Sequence, residues 1–347
     1  MMADKKNIKN IPLDDLAAQF KEMGLEGYRA RQVQKWLFQK DAAGFDEMTN
    51  ISKKFREILE QHYEIKRLTV LDKQCSVDGT IKYLLGLDDH EKIEAVLIPS
   101  EKRNTLCVST QVGCAMGCAF CLTAQLGLKR NLNIHEIIEQ VGVVRRELPE
   151  RQALSNIVFM GMGEPLHNTK NLYPALAILL DPDCYNFSRQ HITVSTAGLA
   201  PEIEKFGDLT PVKLAISLNA TTDAVRDRIM PINKKYNLNS LITACHRMTL
   251  PKRNRITFEY VLLDGINDTM DDAKRLVKIL ATLKAKINLL PFNEHPRCAF
   301  KRPSEERVRE FQKYLLDHGF VAVVRQSRGS DILGACGQLA GRGQSKK

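Results

Sequence analysis

The chain of 347 residues has a single tryptophan, and no part of it approaches the roughly 18 consecutive apolar residues that a membrane-spanning helix needs. Its first residues, MMADKKNIKN, also lack the apolar run of a secretory signal. These absences predict a soluble, cytoplasmic protein without a membrane partner. Hydrophobic residues make up 44% of the sequence, which is enough for a packed core, and the length favours two domains over one.

A disulfide framework is disfavoured by the cysteine count, because nine is an odd number and the predicted compartment is reducing. In such a compartment, cysteines serve as metal ligands, as reactive groups or as inert core residues. The spacing of the nine cysteines therefore has to decide between these roles.

Two segments have almost no acidic residues, although the whole chain carries a formal net charge of +10. The stretch 228–258 contains no Asp or Glu, and the last 27 residues contain only Asp331. The cations of the two segments are Arg228, Lys234, Lys235, Arg247, Lys252, Arg253 and Arg255, and then Arg325, Arg328, Arg342, Lys346 and Lys347. Clustered cations favour a polyanionic partner such as RNA through counterion release, while a solvated face is the alternative interpretation.

The hydrophobic pattern changes twice along the chain. Apolar residues at spacings of three and four predict three helices in LDDLAAQFKEM, ARQVQKWLFQ and SKKFREILEQHY. Two β-type runs, TIKYLLGL and KIEAVLIP, are separated by the polar segment DDHE and predict a hairpin. We therefore divide the chain into an N-terminal helical accessory domain (1–65), a connecting β-hairpin region (66–100) and a third part (101–347).

Apolar strands alternate with amphipathic helices in this third part. The predicted strands are TLCVST, NIVFMGMG, HITVSTAG, VKLAISLNA, RITFEYVLL, KINLLPFN and VAVVRQS. Strands separated by helices indicate βα units around a parallel sheet. Six or seven units fit an α/β fold of the partial (β/α)6 barrel type better than a closed eight-fold barrel, which takes about 250 residues.

The strongest chemical signal is the segment CAMGCAFC, which places Cys114, Cys118 and Cys121 in a loop after the first barrel strand. Three thiolates supply one ligand fewer than a Cys₄ cluster or a closed zinc site, so one coordination position stays open. Gly113 and Gly117 allow a tight turn around the ligands. A [4Fe–4S] cluster is favoured over a catalytic zinc site and over three inert thiols.

At this motif the chain resembles the radical S-adenosylmethionine (SAM) superfamily. Further motifs follow in order, namely LCVSTQVGCAMGCAFC, NIVFMGMGEPLHN, ITVSTAG, SLNA, LLPFN and ACGQL. Together with the helical N-terminal module, they resemble the RlmN family of radical SAM adenine-C2 RNA methyltransferases. The resemblance implies a radical-SAM barrel, a [4Fe–4S] cluster held by the three cysteines, and two molecules of SAM per turnover.

The same resemblance assigns the SAM contacts residue by residue. Gly163 and Glu164 match the segment that holds the SAM amino group, and a carboxylate suits an ammonium. The remaining matches close apolar strands and are Ser195, Ser217, Leu218, Asn219 and Asn293. Relatives commonly have His where this chain has Asn219, so that side-chain contact differs.

Three further residues correspond to groups that turn cluster chemistry into methyl transfer. Cys336 matches the cysteine that carries the methyl group as S-methylcysteine, and nearby cations are expected to favour its thiolate. Cys107 matches the cysteine that later forms a transient disulfide with Cys336, and Glu94 matches the proposed proton acceptor. As single residues, the two cysteines would be buried structural thiols and Glu94 an exposed strand residue. The resemblance assigns no task to Cys75, Cys184, Cys245 or Cys298.

The implied partners are 23S rRNA, tRNA and an electron donor such as a flavodoxin-type reductant. The target base must leave its stack to reach a site inside a barrel. One alternative is an adenine-C8 methyltransferase of the Cfr type, which shares the cluster and both reactive cysteines. A second alternative is a zinc-stabilised RNA-binding protein without enzymatic activity.

Overall fold

The computed structural model describes residues 5–101, 103–149, 153–251, 254–295 and 297–340. Its helices are α1 (Leu13–Glu22), α2 (Arg29–Gln34), α3 (Lys53–His62), α4 (Leu122–Gln125), α5 (Ile134–Glu147), α6 (Thr169–Leu180), α7 (Ala200–Leu209), α8 (Asp223–Ile229), α9 (Leu238–Arg247), α10 (Met270–Leu280) and α11 (Glu305–Asp317). Its strands are β1 (Lys6–Asn7), β2 (Tyr63–Glu64), β3 (Thr69–Cys75), β4 (Ile81–Gly86), β5 (Lys92–Ser100), β6 (Arg103–Cys107), β7 (Gln111–Gly113), β8 (Leu128–Asn131), β9 (Leu154–Phe159), β10 (Ile192–Thr196), β11 (Lys213–Ser217), β12 (Ile256–Leu262), β13 (Ala285–Pro291) and β14 (Ala322–Val324). None of the described helices has the length and apolar composition that crossing a bilayer would require.

The three predicted N-terminal helices are confirmed as α1, α2 and α3, and α2 continues into a π-helical turn. Their apolar faces meet around Phe20, whose ring lies edge-on to that of Phe55 with 5.3 Å between the centroids. Helix α3 begins after Ser52, whose hydroxyl oxygen accepts the backbone N–H of Phe55 at 3.3 Å and so satisfies one free donor of the first turn. The amphipathic pattern thus produces a small packed unit.

A ten-stranded mixed sheet forms the rest of the molecule, in the order β14-β13-β12-β11-β10-β9-β6-β5-β4-β3. Seven of its strands run parallel and coincide with the seven predicted runs, namely β6, β9, β10, β11, β12, β13 and β14. Helices connect successive parallel strands, as the alternating pattern predicts. The partial α/β barrel is confirmed, and the short β14 lies beside its six-strand core as an outer edge strand.

The predicted hairpin is confirmed as the antiparallel pair β4 and β5, but it is continuous with the barrel sheet because β5 also pairs with β6. Strand β3 adds to its other side and has no counterpart in the sequence prediction. Most of its side chains are exposed, so Thr69–Cys75 lacks the apolar alternation by which a half-buried strand is recognised.

The parallel strands deliver the loops that follow β9, β10, β11, β12 and β13 to one edge of the sheet. The cysteine segment lies between β7 and β8, which pair as an additional short antiparallel ribbon, and it shares a cavity with residues from these loops. Residues far apart in the chain therefore meet at the carboxyl ends of the strands, which is where barrel proteins build their sites.

Candidate active site

The cysteine segment leaves β7 through a backbone position that only glycine can occupy. Gly113 has a φ of 77°, and a Cβ placed there would lie 1.8 Å from the carbonyl oxygen of Gly127. The segment then passes Cys114, Cys118 and Cys121 and ends at α4. The sequence expectation of a tight turn at this glycine is confirmed.

The three thiols line one cavity of about 170 Å³. Burial raises the pKa of Cys114 to about 12 and that of Cys118 well above its usual value, and Cys121 adds to both shifts. Thiols that influence each other's pKa in a shared cavity suit a multinuclear centre that stabilises thiolates by its own positive charge. Within the described ranges, no three His, Cys, Asp or Glu side chains are grouped closely enough to hold one metal ion.

Glu164 lies on the opposite wall of this cavity and is almost fully buried. Its two carboxylate oxygens accept the backbone N–H groups of Leu166 at 3.0 Å and Ala197 at 2.6 Å. Burial raises its pKa to about 7, although these hydrogen bonds oppose the shift. A positively charged group that enters the cavity would therefore stabilise the ionised form of the fixed Glu164 carboxyl group.

The glycine before Glu164 is required by the protein itself. Gly163 has a φ of 101°, and a Cβ there would lie 2.5 Å from the Cβ of Gln111. Gln111 in turn accepts the backbone N–H of Glu164 at 2.8 Å. Gly163 is therefore needed because its loop packs directly against Gln111, and this packing also fixes the Glu164 carboxylate. This contact within the protein explains the glycine more specifically than the approach of a ligand does.

Three of the predicted SAM contacts end neighbouring strands and line the same cavity, namely Ser195, Ser217 and Asn219. Asn219 has a φ of 57°, a conformation that asparagine tolerates better than most residues. Its side-chain oxygen accepts the backbone N–H of Val261 at 2.8 Å. Leu218 differs from these three, because its side chain lies in the hydrophobic core and it is not among the cavity-lining residues.

A buried arginine beneath these loops was missed by the sequence analysis. Arg226 has no exposed surface, and its guanidinium donates to the carbonyl oxygens of Ala197 at 2.7 Å, Ser217 at 3.1 Å and Leu218 at 3.0 Å. Burial lowers its pKa to about 10, and the nearby Cys118 opposes this. Its position on an ordinary amphipathic helix gave no signal of this role.

Cys336 lies where the cysteine-lined cavity meets a second cavity of about 510 Å³. The loop that carries it, which we call the C-terminal loop (residues 328–340), is bonded to α4 through Gly337 and Leu339. Cys336 keeps an exposed surface, and desolvation by the protein atoms around its thiol raises the pKa to about 11. Glu259 adds to the rise and Arg325 opposes it. Arg325 therefore acts in the expected direction, but desolvation outweighs its charge.

Cys107, at the end of β6, lines the second cavity together with Cys336. Burial raises its pKa, and the neighbouring Cys336 contributes to the rise. Asn293 holds the loop in place, since its side-chain nitrogen donates to the backbone oxygen of Cys336 at 3.3 Å and its oxygen accepts the hydroxyl of Ser327. The fold therefore places Cys107 and Cys336 in one cavity, although they come from opposite ends of the barrel sequence.

Glu94 is buried, and the interpretation of this residue as an exposed strand position is wrong. Its carboxylate lies 3.4 Å from the Nζ of Lys82, and it accepts the backbone N–H of Ala340 at 2.8 Å. The antiparallel strands β4 and β5 face the C-terminal loop at this point, which accounts for its burial. Glu94 therefore touches the loop that carries Cys336.

The four cysteines without an assigned task differ in burial, and the described cations of the first acid-poor segment are exposed. Cys184 and Cys245 are buried and Cys75 is exposed, whereas the thiol of Cys298 points to the backbone oxygen of Ala119, inside the cysteine segment, at 3.7 Å. The described cations of the first acid-poor segment have exposed side chains: Arg228, Lys234, Lys235, Arg247 and Arg255. Lys252, Arg253, Arg342, Lys346 and Lys347 lie outside the described residues.

Known proteins that match almost the whole chain are RNA methyltransferases or radical SAM proteins. Residues 6–65 match the family model of the ribosomal RNA large subunit methyltransferase N-terminal domain, and residues 108–277 match that of the radical SAM superfamily. The dual-specificity RNA methyltransferase RlmN of Geotalea uraniireducens is 52% identical over 98% of each chain. That of Geobacter sulfurreducens is 54% identical over 97% of this chain and 92% of its own. A solved radical SAM methyltransferase from Sphaerobacter thermophilus has a TM-score of 0.90 at 40% identity and covers 97% of this chain and 100% of that one.

Proposed function

Since this chain belongs to the RlmN family of radical SAM methyltransferases, we propose that it methylates C2 of an adenosine in 23S rRNA and of the adenosine 3′ of the anticodon in tRNA. The observation that carries this proposal is the place of Cys336 between two cavities. One cavity contains Cys114, Cys118 and Cys121, and the other contains Cys107. A methyl carrier needs access to the methyl donor on one side and to the base and resolving thiol on the other.

Membership of the radical SAM superfamily implies SAM and a [4Fe–4S] cluster. Cys114, Cys118 and Cys121 would hold the cluster, with Glu164, Ser195, Ser217 and Asn219 around the SAM, and we propose two SAM molecules per turnover. When bound, these groups supply one electron, a methyl group and a carbon radical. Such chemistry is needed because adenine C2 is electron-poor and has no lone pair with which to attack a methyl donor.

Within the protein, Cys336 gives up its thiol proton when its sulfur receives the methyl group, and it then carries the reactive carbon to C2. Glu94 is proposed to accept the C2 proton. Its Oε2 accepts the backbone N–H of Ala340 in the C-terminal loop, so a movement of the loop that carries Cys336 would free this oxygen as a proton acceptor. Before the proton transfer, the ammonium group of Lys82 stabilises the negative charge of the Glu94 carboxylate.

Release of the product requires the second thiol. Once the adduct has passed the C2 proton to Glu94 and its unpaired electron back to the electron carrier, the Cys107 thiol loses its proton and its sulfur attacks the Cys336 sulfur. The electron pair of the bond between that sulfur and the transferred carbon stays on the carbon, which takes up a proton and becomes the methyl group, and a disulfide remains. Two electrons from a thiol reductant restore both cysteines. The shared cavity of Cys107 and Cys336 supports this step, because sulfur-to-sulfur attack needs direct access.

We propose that the N-terminal helical domain (1–65) binds the RNA by contacting the RNA backbone and recognising the shape of the RNA. A flavodoxin-type protein is proposed to supply the electron. The relatives reported above carry the RlmN name, which does not favour the Cfr-type C8 alternative. Mass mapping of the modified adenosine separates the two positions, since a methyl group at C8 with none at C2 contradicts the proposal. A protein purified anaerobically with stoichiometric zinc and no iron or sulfide would support the zinc alternative instead.

Exchange of the methyl carrier tests the function directly. Cys336→Ala is expected to abolish RNA methylation while reductive SAM cleavage continues, because cleavage needs only the cluster and SAM. Liquid chromatography of 5′-deoxyadenosine and mass spectrometry of the RNA measure the two activities separately. The control is Cys75→Ala, an exposed thiol on β3 that should leave both unchanged. Retained methylation in Cys336→Ala would show that another group carries the methyl.

Exchange of the resolving thiol should trap the reaction one step later. Cys107→Ala is expected to accumulate a covalent protein–RNA adduct, since no thiol in the cavity can then release Cys336. Denaturing electrophoresis followed by nuclease treatment detects the adduct. Free methylated RNA at the parent rate would contradict the role of Cys107.

A further inference from the structure

The barrel interior on the side of Cys107 carries a group of cations that the reaction described above does not use. Lys213 on β11 and Lys286 on β13 point to the same sheet face as their strand neighbours Thr193 and Thr257. Thr193, Thr257, Lys286 and Arg325 line the cavity that contains Cys107 and Cys336. Arg103, at the start of β6, adds a fourth cation at the rim.

These cations lie close enough to repel one another. Burial lowers the pKa of Lys286, and Lys213 and Arg325 lower it further. Burial and Arg103 lower the pKa of Lys213 in the same way. In the part of the chain that the structure describes, none of the four is within 4 Å of a carboxylate oxygen. An anion bound among them would relieve this repulsion.

The acidic residue of this cavity relieves only part of that repulsion. Glu259 raises the pKa of Lys286, but burial, Lys213 and Arg325 lower it more. Glu259 also accepts the side-chain N–H of Asn288 at 2.8 Å, and burial raises its pKa although Arg325 and Lys286 oppose the rise. Lys213 and Lys286 lie near the amino ends of their strands, whereas Glu259 lies close enough to Cys336 to raise its pKa. A ligand with an anionic group among the cations and an uncharged ring at Cys336 would match both regions.

The cavity of Cys107 offers more room beside Cys336 than the cysteine-lined cavity, about 510 Å³ against about 170 Å³. The C-terminal loop is bonded to the cysteine segment and its helix through the backbone oxygen of Gly337, which accepts the N–H of Leu122 at 2.8 Å. The hydroxyl of Thr123 donates to Leu339, and the side chain of Gln338 donates to Glu294. A nucleotide entering past the cysteine segment would have to break these bonds, but the cavity of Cys107 needs no such change.

We propose that Lys213, Lys286 and Arg325, with Arg103 at the rim, form a subsite for a backbone phosphate of single-stranded RNA next to the target nucleotide. The target base then enters the barrel through the cavity of Cys107 and reaches Cys336 from that side. The hydroxyls of Thr193 and Thr257 supply hydrogen-bond donors to the phosphate oxygens. This inference rests on the proposed RNA methyltransferase function.

The test measures RNA binding by the cluster-loaded protein at several salt concentrations. The probe is a fluorescent RNA stem-loop with an unpaired adenosine, followed by anisotropy. Lys286→Met is expected to weaken binding and to reduce the slope of log K against log salt by about 0.7, the value for one single-strand phosphate. Lys286→Arg should keep the parent slope. The control is Lys278→Met, which removes an exposed cation from the outer helix α10.

Two further measurements separate the possible failures. Methylation of Cys336 itself, followed by mass spectrometry of the protein without RNA, should be the same in Lys286→Met and the parent, which shows an intact fold and SAM site. If the parent neither binds nor methylates the stem-loop, the proposed function has failed. If the parent does both and Lys286→Met and Arg325→Met keep its affinity and salt slope, the phosphate subsite is wrong and the function stands.

Discussion

At the scale of single residues, Arg226 shows how one buried charge organises the SAM side of the site. Its guanidinium joins the ends of β10 and β11 by donating to Ala197, Ser217 and Leu218, and it also contacts Asn233 at 3.1 Å. These loops carry side chains of the cysteine-lined cavity. Arg226 therefore determines the shape of that cavity without lining it.

Removal of this guanidinium should destabilise the fold. Arg226→Met leaves three buried carbonyl oxygens without donors, and we expect the free energy of unfolding to fall by about 3–5 kcal/mol. Urea unfolding of the protein without cluster measures the change. Arg228→Met is the matched control, because it removes the same charge from the exposed face of the same helix. Equal stability of the two variants would contradict the role given to Arg226.

At the scale of elements, the C-terminal loop is held by the turn between β3 and β4. The hydroxyl of Ser76 donates to Asp331 at 2.6 Å, and the backbone N–H of Gly329 donates to Asp78 at 3.0 Å. Burial opposes ionisation of Asp78, but hydrogen bonds from Thr80, Gly329 and Ser76 prevail and lower its pKa to about 2. The antiparallel extension of the sheet thus controls the position of Cys336.

Loosening this attachment should let the C-terminal loop open more often. Asp78→Asn removes the charge that binds Gly329, at a cost of about 1 kcal/mol for one hydrogen bond, and we expect backbone amide hydrogen exchange in residues 328–340 to become roughly fivefold faster. Peptide mass spectrometry follows the exchange. In the parent the attachment is complete above the ordinary aspartate pKa and is lost as the pH falls towards 2, because the folded state favours the carboxylate. Asp208→Asn, on the exposed face of α7, is the control, and an unchanged exchange rate in Asp78→Asn would contradict the attachment.

At the scale of the whole molecule, the helical domain is fixed to the barrel by a buried ion pair. The Nζ of Lys9 lies 2.8 Å from the carboxylate of Glu139 on α5, and both side chains are only 1% exposed. Arg146 contacts the same carboxylate at 2.6 Å and also Asp41 of the helical domain at 2.9 Å. The N-terminal helical domain is therefore held at a defined position relative to the barrel.

Breaking this ion pair should separate the two parts. Glu139→Gln leaves Lys9 buried without its carboxylate, and we expect a loss of about 3–5 kcal/mol and a second unfolding transition. Calorimetry detects the transition, and RNA affinity should fall with it. Glu204→Gln breaks the exposed contact with Arg247 at 3.3 Å and should cost less than about 1 kcal/mol. A single transition of unchanged midpoint in Glu139→Gln would show that the ion pair does not fix the domain.

The alternating apolar pattern was sufficient to predict the N-terminal helices, the parallel strands and the hairpin. These features depend on side chains that are close together in the chain, since helix and strand periods repeat within a few residues. The cysteine spacing predicted a three-thiol site for the same reason. Strand β3 was missed because its exposed faces carry no such period.

The sequence by itself determined the order of the elements, the cysteine motif and the family resemblance. Only the tertiary structure decided that Cys107 and Cys336 share a cavity, that Arg226 joins the loops after β10 and β11, and that Glu94 is buried against the C-terminal loop. Proximity and desolvation arise from the packing of distant segments, so no local pattern encodes them. For that reason the chemistry of the site could be predicted from its motifs, while its geometry and electrostatics required the fold.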